Sequence, residues 1–111
     1  MESMVKKEVL GKTIEARYFE VGNDLLVIIT GGDAPHVGSV SVCQMHSNKL
    51  RLLKIVLPMH RDDVISDKLA RILAERLNTT VCVVCGIHYN QLKKQEITEI
   101  VKACDELMIN I

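Results

Sequence analysis

Apolar and polar positions alternate over residues 12–20, with Ile14, Ala16 and Tyr18 on one side and Thr13, Glu15, Arg17 and Phe19 on the other. That period of two predicts a half-buried strand. Val21-Gly22-Asn23-Asp24 supplies a turn, and residues 25–30, apolar at successive positions, predict a central strand covered on both faces. Val40 and Val42 alternate with Ser39, Ser41 and Cys43 in a third strand, which ends at the polar stretch His46-Ser47-Asn48-Lys49. A fourth strand covers residues 50–57, and Pro58 stops it. The period then lengthens. Ile65, Leu69, Ile72, Leu73 and Leu77 recur at helical spacing and predict a helix over residues 63–77, with Asp62 or Asp63 as N-cap and Asn78 as its stop. Val81, Cys82, Val83, Val84 and Cys85 mark a strand over residues 79–86 that is buried on both faces. Ile97, Ile100, Val101, Cys104, Leu107 and Met108 form a second amphipathic helix, although Lys93-Lys94-Gln95 gives its start no Ser, Thr or Asp cap.

The order β-β-β-β-α-β-α, joined by short connections, predicts an α+β fold: a single mixed sheet, built as an antiparallel meander plus a crossover strand, with two helices packed on it. Residues 1–111 read as one domain, the first ten as an extension ahead of it. Alternate strands of a meander run the same way, and a strand reached through a helix commonly lies parallel to the one before it. Three loops then gather at one edge of the sheet: residues 30–37, 58–62 and 86–90. Each carries a histidine, namely His36, His60 and His88, whereas His46 falls in a turn at the opposite end.

The first of these loops reads Thr30-Gly31-Gly32-Asp33-Ala34-Pro35-His36-Val37-Gly38. Adjacent glycines reach backbone angles closed to other residues, and Pro35 fixes its own φ, so the loop is shaped. It is either a turn, for which Gly, Asp and Pro are ordinary residues, or an anion site. In the second case the amides of Gly31 and Gly32 meet a phosphate, Arg61 adds charge, and His36 or His88 adds a donor. Other chemistries find less support. His36, His60 and His88 with Asp33 could ligate zinc or iron, but no two of them share an H-x-H or H-x-x-x-H spacing. Cys82 and Cys85 lie three apart in a strand, so their sulfurs point to opposite faces, and Ser39 and Ser41 lack a G-x-S-x-G elbow.

Composition narrows the function classes. Of 111 residues 48 % are apolar and 25 % charged, a globular balance, and with Tyr18, Phe19 and Tyr89 as the only aromatics the core must be aliphatic. Fourteen basic residues offset fourteen acidic ones, so no basic face for nucleic acid is implied. The start of the chain lacks the apolar stretch of a secretory signal, and no apolar run approaches the ~20 residues of a membrane span. Cytoplasmic location and reduced, packing thiols at Cys43, Cys82, Cys85 and Cys104 follow as expectations.

Gly31-Gly32-Asp33-Ala34-Pro35-His36-Val37-Gly38-Ser39-Val40, together with Gly86-Ile87-His88 after a buried strand and a closing amphipathic helix, resembles the small prenylated-flavin chaperone-like proteins. These are the D component accompanying gallate-type decarboxylases. The similarity runs from about Gly11 to Met108, and the family is similar in fold to proteasome-assembly-chaperone domains. The resemblance implies a homodimeric, non-catalytic accessory protein that binds prenylated flavin mononucleotide (or FMN) and helps mature a UbiD-type decarboxylase. Its matching residues are Gly31, Gly32, Pro35, His36 and Gly38, then Gly86, Ile87 and His88. Rival readings are a dimeric assembly chaperone without a small-molecule ligand and a small metal-dependent hydrolase. An open sheet edge, which small proteins usually cover, independently predicts a homodimer.

Overall fold

A computed structural model of the chain describes residues 2–58 and 61–111. His60, one of the three converging histidines, lies outside the described residues. Six strands and two helices follow in the order β1 (Glu2–Val9), β2 (Lys12–Val21), β3 (Asp24–Gly32), β4 (Ser39–His46), β5 (Lys49–Val56), α1 (Asp63–Leu77), β6 (Val81–His88) and α2 (Lys94–Ile109). They build the expected single mixed α+β sheet, in the spatial order β1-β2-β3-β6-β4-β5.

Two features differ from a plain meander. Glu2–Val9 form β1, an antiparallel edge strand on β2, where the sequence pattern suggests an extension. Leu10 (φ 52°) and Gly11 (φ 79°) make the two-residue turn that returns it. More consequentially, β6 inserts between β3 and β4. It lies parallel to β3 and antiparallel to β4, so β3 and β4 are not neighbours and the chain between them must pass across the carboxyl end of β6. Strands β3, β5 and β6 all point the same way, which puts the ends of β3 and β6 and the start of α1 at one edge, as anticipated. His46, at the end of β4, sits at the other.

Both helices pack on one face of the sheet. Ile14, Ala16, Val27, Ile29, Val81, Val83 and Cys85 from the strands meet Leu69, Leu73, Cys104 and Leu107 from the helices in one aliphatic core. Asn78 ends α1 in the left-handed conformation, its N–H donating to the Ala74 carbonyl. Asp62 precedes α1 but makes no side-chain cap there, because its carboxylate is spent elsewhere, as described below. At α2 the missing cap is replaced from inside the helix: the Glu96 carboxylate accepts the Lys93 N–H at 2.8 Å. No helix among the described residues is long and apolar enough to cross a membrane.

A buried polar seam ties α1 to β4. Ser66 Oγ lies 2.8 Å from Ser39 Oγ and 2.6 Å from Ser41 Oγ, and Ser41 donates to Asp67 Oδ1 at 2.6 Å. The two serines read from the sequence are thus polar partners of a helix. Lys54 on β5 bridges Asp63 (3.2 Å) and Asp67 (3.0 Å). Burial pushes the Asp63 carboxyl up, but hydrogen bonds and charge from Lys54 and Arg61 outweigh it and hold the group below its ordinary value. A carboxyl depressed in the folded state contributes stability present above its unfolded value of about 3.9, and this is lost as pH falls through the folded value. Lys54→Met should therefore be less stable than the parent near neutral pH, with the gap closing toward about pH 2, in urea titrations at the two conditions. A gap independent of pH would mean that Lys54 contributes by packing alone.

Candidate functional site

The glycines of the first loop are explained by the crossing it must make. On its way from β3 to β4 the chain lies against the end of β6, with the N–H groups of Asp33 and Ala34 donating to the His88 carbonyl, His36 N–H to Gly86, and Gly38 N–H to Cys85. A Cβ on Gly86 would fall on the His36 carbonyl, one on Gly32 (φ 81°) on the His88 carbonyl, and one on Gly31 on the Thr13 and Ile14 backbone. These positions have no room for a side chain. The amides of the loop from Asp33 to Gly38 are largely engaged with β6, so shape, and not a free nest of N–H groups, is what the glycines secure.

Gly38 serves a different purpose. A Cβ there would meet the Asp62 carboxylate and the His36 ring. Asp62 is 7 % exposed, and its Oδ1 accepts the Ile87 N–H at 3.0 Å while its Oδ2 lies 3.1 Å from His36 Nε2. His36 Nδ1 faces the Ala34 carbonyl at 2.9 Å, which fixes the ring at both nitrogens. The Cys85 sulfhydryl lies 4.0 Å from Asp62 Oδ1. Burial, with Asp62 adding its charge, pushes that thiol far up, so it stays protonated. Asp62 therefore joins the start of α1, the crossing loop and β6 in one hydrogen-bonded knot.

Beside this knot, between the starts of α1 and α2, a cavity of about 270 Å³ opens. Its floor is aliphatic, with Ile65, Ile87, Ile97, Ile100 and Val101, and Tyr89 forms one wall. The Tyr89 hydroxyl donates to the Val9 carbonyl at 2.7 Å, which anchors that wall to β1. His36, Arg61, Asp62 and His88 bring polar atoms to its rim. Arg61 is 81 % exposed and reaches Asp63 Oδ1 from Nε at 3.2 Å. His88 Nε2 lies 3.1 Å from Asn90 Oδ1. Asp33 faces elsewhere: it accepts the Asn90 N–H at 2.9 Å and pairs with Lys12 at 3.5 Å. The bond from Asn90 is the main reason its carboxyl lies below the usual range, with Lys12 and His88 assisting.

The residues singled out in the sequence thus divide. His36, Arg61 and His88 share the cavity. Gly31, Gly32 and Pro35 line a separate hollow of about 400 Å³ with Thr13, Glu15 and Thr30. Gly38, Gly86 and Asp33 shape the loop from within. Asp33 and His36 turn to different partners, and among the described residues no group of three His, Cys, Asp or Glu side chains is placed to hold a metal ion. Cys82 and Cys85 point to opposite faces, as their spacing requires.

Comparison with known proteins places this geometry. Residues 8–111 match the family model of the prenylated flavin chaperone LpdD-like domain. Protein LpdD of Lactiplantibacillus plantarum is 28 % identical over 102 residues, a span covering 90 % of this chain and 75 % of that protein. In three dimensions the fold is similar to a chain of a chaperone complex for yeast 20S proteasome assembly, with a TM-score of 0.57 at 12 % identity over 98 % of this chain and 96 % of the other. With the family model spanning nearly its whole length, the chain belongs to the prenylated flavin chaperone LpdD-like family.

Proposed function

We propose that this protein is a non-catalytic, homodimeric accessory factor that binds prenylated flavin mononucleotide, or FMN, and assists the maturation of a UbiD-type decarboxylase. The observation that carries the reading is the cavity at the ends of β3 and β6: aliphatic inside, one tyrosine in its wall, histidines and an arginine at its rim. Its size sets the manner of binding. Pockets that enclose a drug-sized ligand measure about 300 to 1,000 Å³. A cavity of about 270 Å³ suits the apolar ring end of a flavin, leaving ribityl and phosphate outside near Arg61. In this reading His88 donates to the polar flank of the ligand, His36, held at both nitrogens by Ala34 and Asp62, shapes the rim, and Gly31, Gly32, Asp33, Pro35, Gly38 and Gly86 hold the loop in place. A cofactor bound part-way remains accessible to a recipient protein, as a delivery role requires.

The test is calorimetric titration with FMN and with its prenylated form. His88→Ala should weaken binding by about ten- to a hundredfold, the usual effect of losing a hydrogen bond to a charged group, and His36→Ala should weaken it by removing part of the rim. Ile97→Trp, at a half-exposed cavity position, should abolish it without unfolding the chain. His46→Ala, at the far end of β4, should bind like the parent. Failure of the folded parent protein to take up either flavin would remove the ligand and leave an assembly chaperone acting through protein contacts alone.

A further inference from the structure

The aliphatic floor of the cavity is β-branched throughout: Ile65 from α1, Ile87 from β6, and Ile97, Ile100 and Val101 from α2. Such side chains are stiff at χ1, and three separate elements supply them, so the floor keeps its shape. Its side chains offer a ligand no hydrogen-bond partner. Nearby polar groups are already engaged: the Tyr89 hydroxyl donates to Val9, the Ile87 N–H donates to Asp62, and both His36 nitrogens face acceptors of their own. Arg61 and His88 bring their polar atoms to the rim.

We infer that this floor reads the prenyl-derived carbons of the ligand, so that a prenylated flavin enters the cavity with that unit first and plain FMN is held far more weakly. The inference rests on the flavin-binding reading above and names the residues that set its selectivity. Polarity dictates the orientation. The pyrimidine edge of a flavin carries two carbonyls and an N–H, and inserted first it would leave them against isoleucine without partners, the costly arrangement for buried polar groups. The prenyl-derived unit is a branched group of five carbons and makes no such demand. Size agrees. At ~30 Å³ for a group the size of a water molecule, a cavity of about 270 Å³ holds on the order of nine such groups. That admits the five prenyl carbons with the ring carbons next to them, and leaves the polar edge of the ring at the rim. Each buried CH₂ contributes about fourfold in affinity, so full burial of five carbons gives about a thousandfold and half burial about thirtyfold.

The experiment is calorimetric titration of the parent, of Ile87→Thr/Val101→Thr and of His88→Ala with FMN and with prenylated FMN, read as the ratio of the two affinities. Both threonine positions are half-buried and stay β-branched, so the double variant keeps its fold, which circular dichroism checks. The expected parent binds the prenylated form about thirty- to a thousandfold more tightly than FMN. In the double variant that ratio falls by about tenfold or more, because two hydroxyls now face the prenyl carbons without partners. His88→Ala should weaken both flavins and keep the ratio, since the hydrogen bond it loses is common to them. Should the threonine pair not fold, Ile97→Asn, at a half-exposed position, carries the same expectation. A parent that binds both flavins about equally, or a ratio that the polar substitutions leave unchanged, overturns prenyl-first binding while flavin binding stands. A His88→Ala loss confined to the prenylated form would place the prenyl unit at the rim and overturn it too. A parent that binds neither flavin overturns both readings.

Discussion

Gly86→Ala will lose about 3 kcal/mol of folding stability, near the upper end for a single added methyl group. The new Cβ would lie on the His36 carbonyl, and backbone cannot step aside as the end of a long side chain can. The crossing loop is held to β6 by N–H groups at Asp33, Ala34, His36 and Gly38, so displacing it at Gly86 strains all of these bonds together. Gly11→Ala provides the comparison. Its φ of 79° is unfavourable for alanine, but nothing lies within 4 Å of the added atom, so only backbone strain of about 1 to 2 kcal/mol applies. Urea unfolding of the two variants would separate steric from conformational cost, and equal losses would mean that the loop can lift from β6 freely.

That crossing also marks where reading the sequence stops short. Periodicity located α1 to the residue, because Asn78 and the apolar stripe from Ile65 to Leu77 are local signals. It also found every strand from β2 onward. What it lacks is strand adjacency. A short connection between β3 and β4 suggests a hairpin, yet six residues readily span two strand spacings of about 10 Å, enough to admit β6 between them. β1 escaped for a different reason. It is an edge strand whose Glu2, Lys6, Lys7 and Glu8 face solvent, and such charge, useful against edge-to-edge association, makes a strand read like a solvated tail.

The site was legible to the extent that it depends on direction. Three strands pointing one way brought His36, Arg61 and His88 to one edge, and the fold places them there. It was illegible where a side chain turns against its local habit. An aspartate before a helix normally caps it, but Asp62 turns inward because Gly38 leaves space and Ile87 and His36 offer donors from distant strands and loops. Ile97, Ile100 and Val101 read as core positions of α2. Ile100 does face inward, but Ile97 is half-exposed and Val101 half-buried, beside a cavity that the two helix starts leave unfilled. No period in the sequence distinguishes a filled core from a hollow one.

Asp62→Ala should be the most damaging change at the site that leaves the backbone path alone. Removing the carboxylate takes away the acceptor of the Ile87 N–H and the group facing His36 Nε2, at a part-buried place. Leaving a polar group of this kind without its partner typically costs about 1 to 3 kcal/mol. Asp62→Asn separates the contributions, since its amide oxygen can still accept the Ile87 N–H although the charge facing His36 is gone. It should recover roughly half of the loss, in line with a neutral hydrogen bond being about half as strong as a charge-assisted one. Ligand binding should follow a different order. His36 at the cavity rim is oriented by Asp62, so a folded Asp62→Asn protein should bind flavin as weakly as His36→Ala, and the double variant no more weakly than either. Additive losses in the double variant would show that Asp62 and His36 act on the ligand independently, and would dissolve the knot as a functional unit.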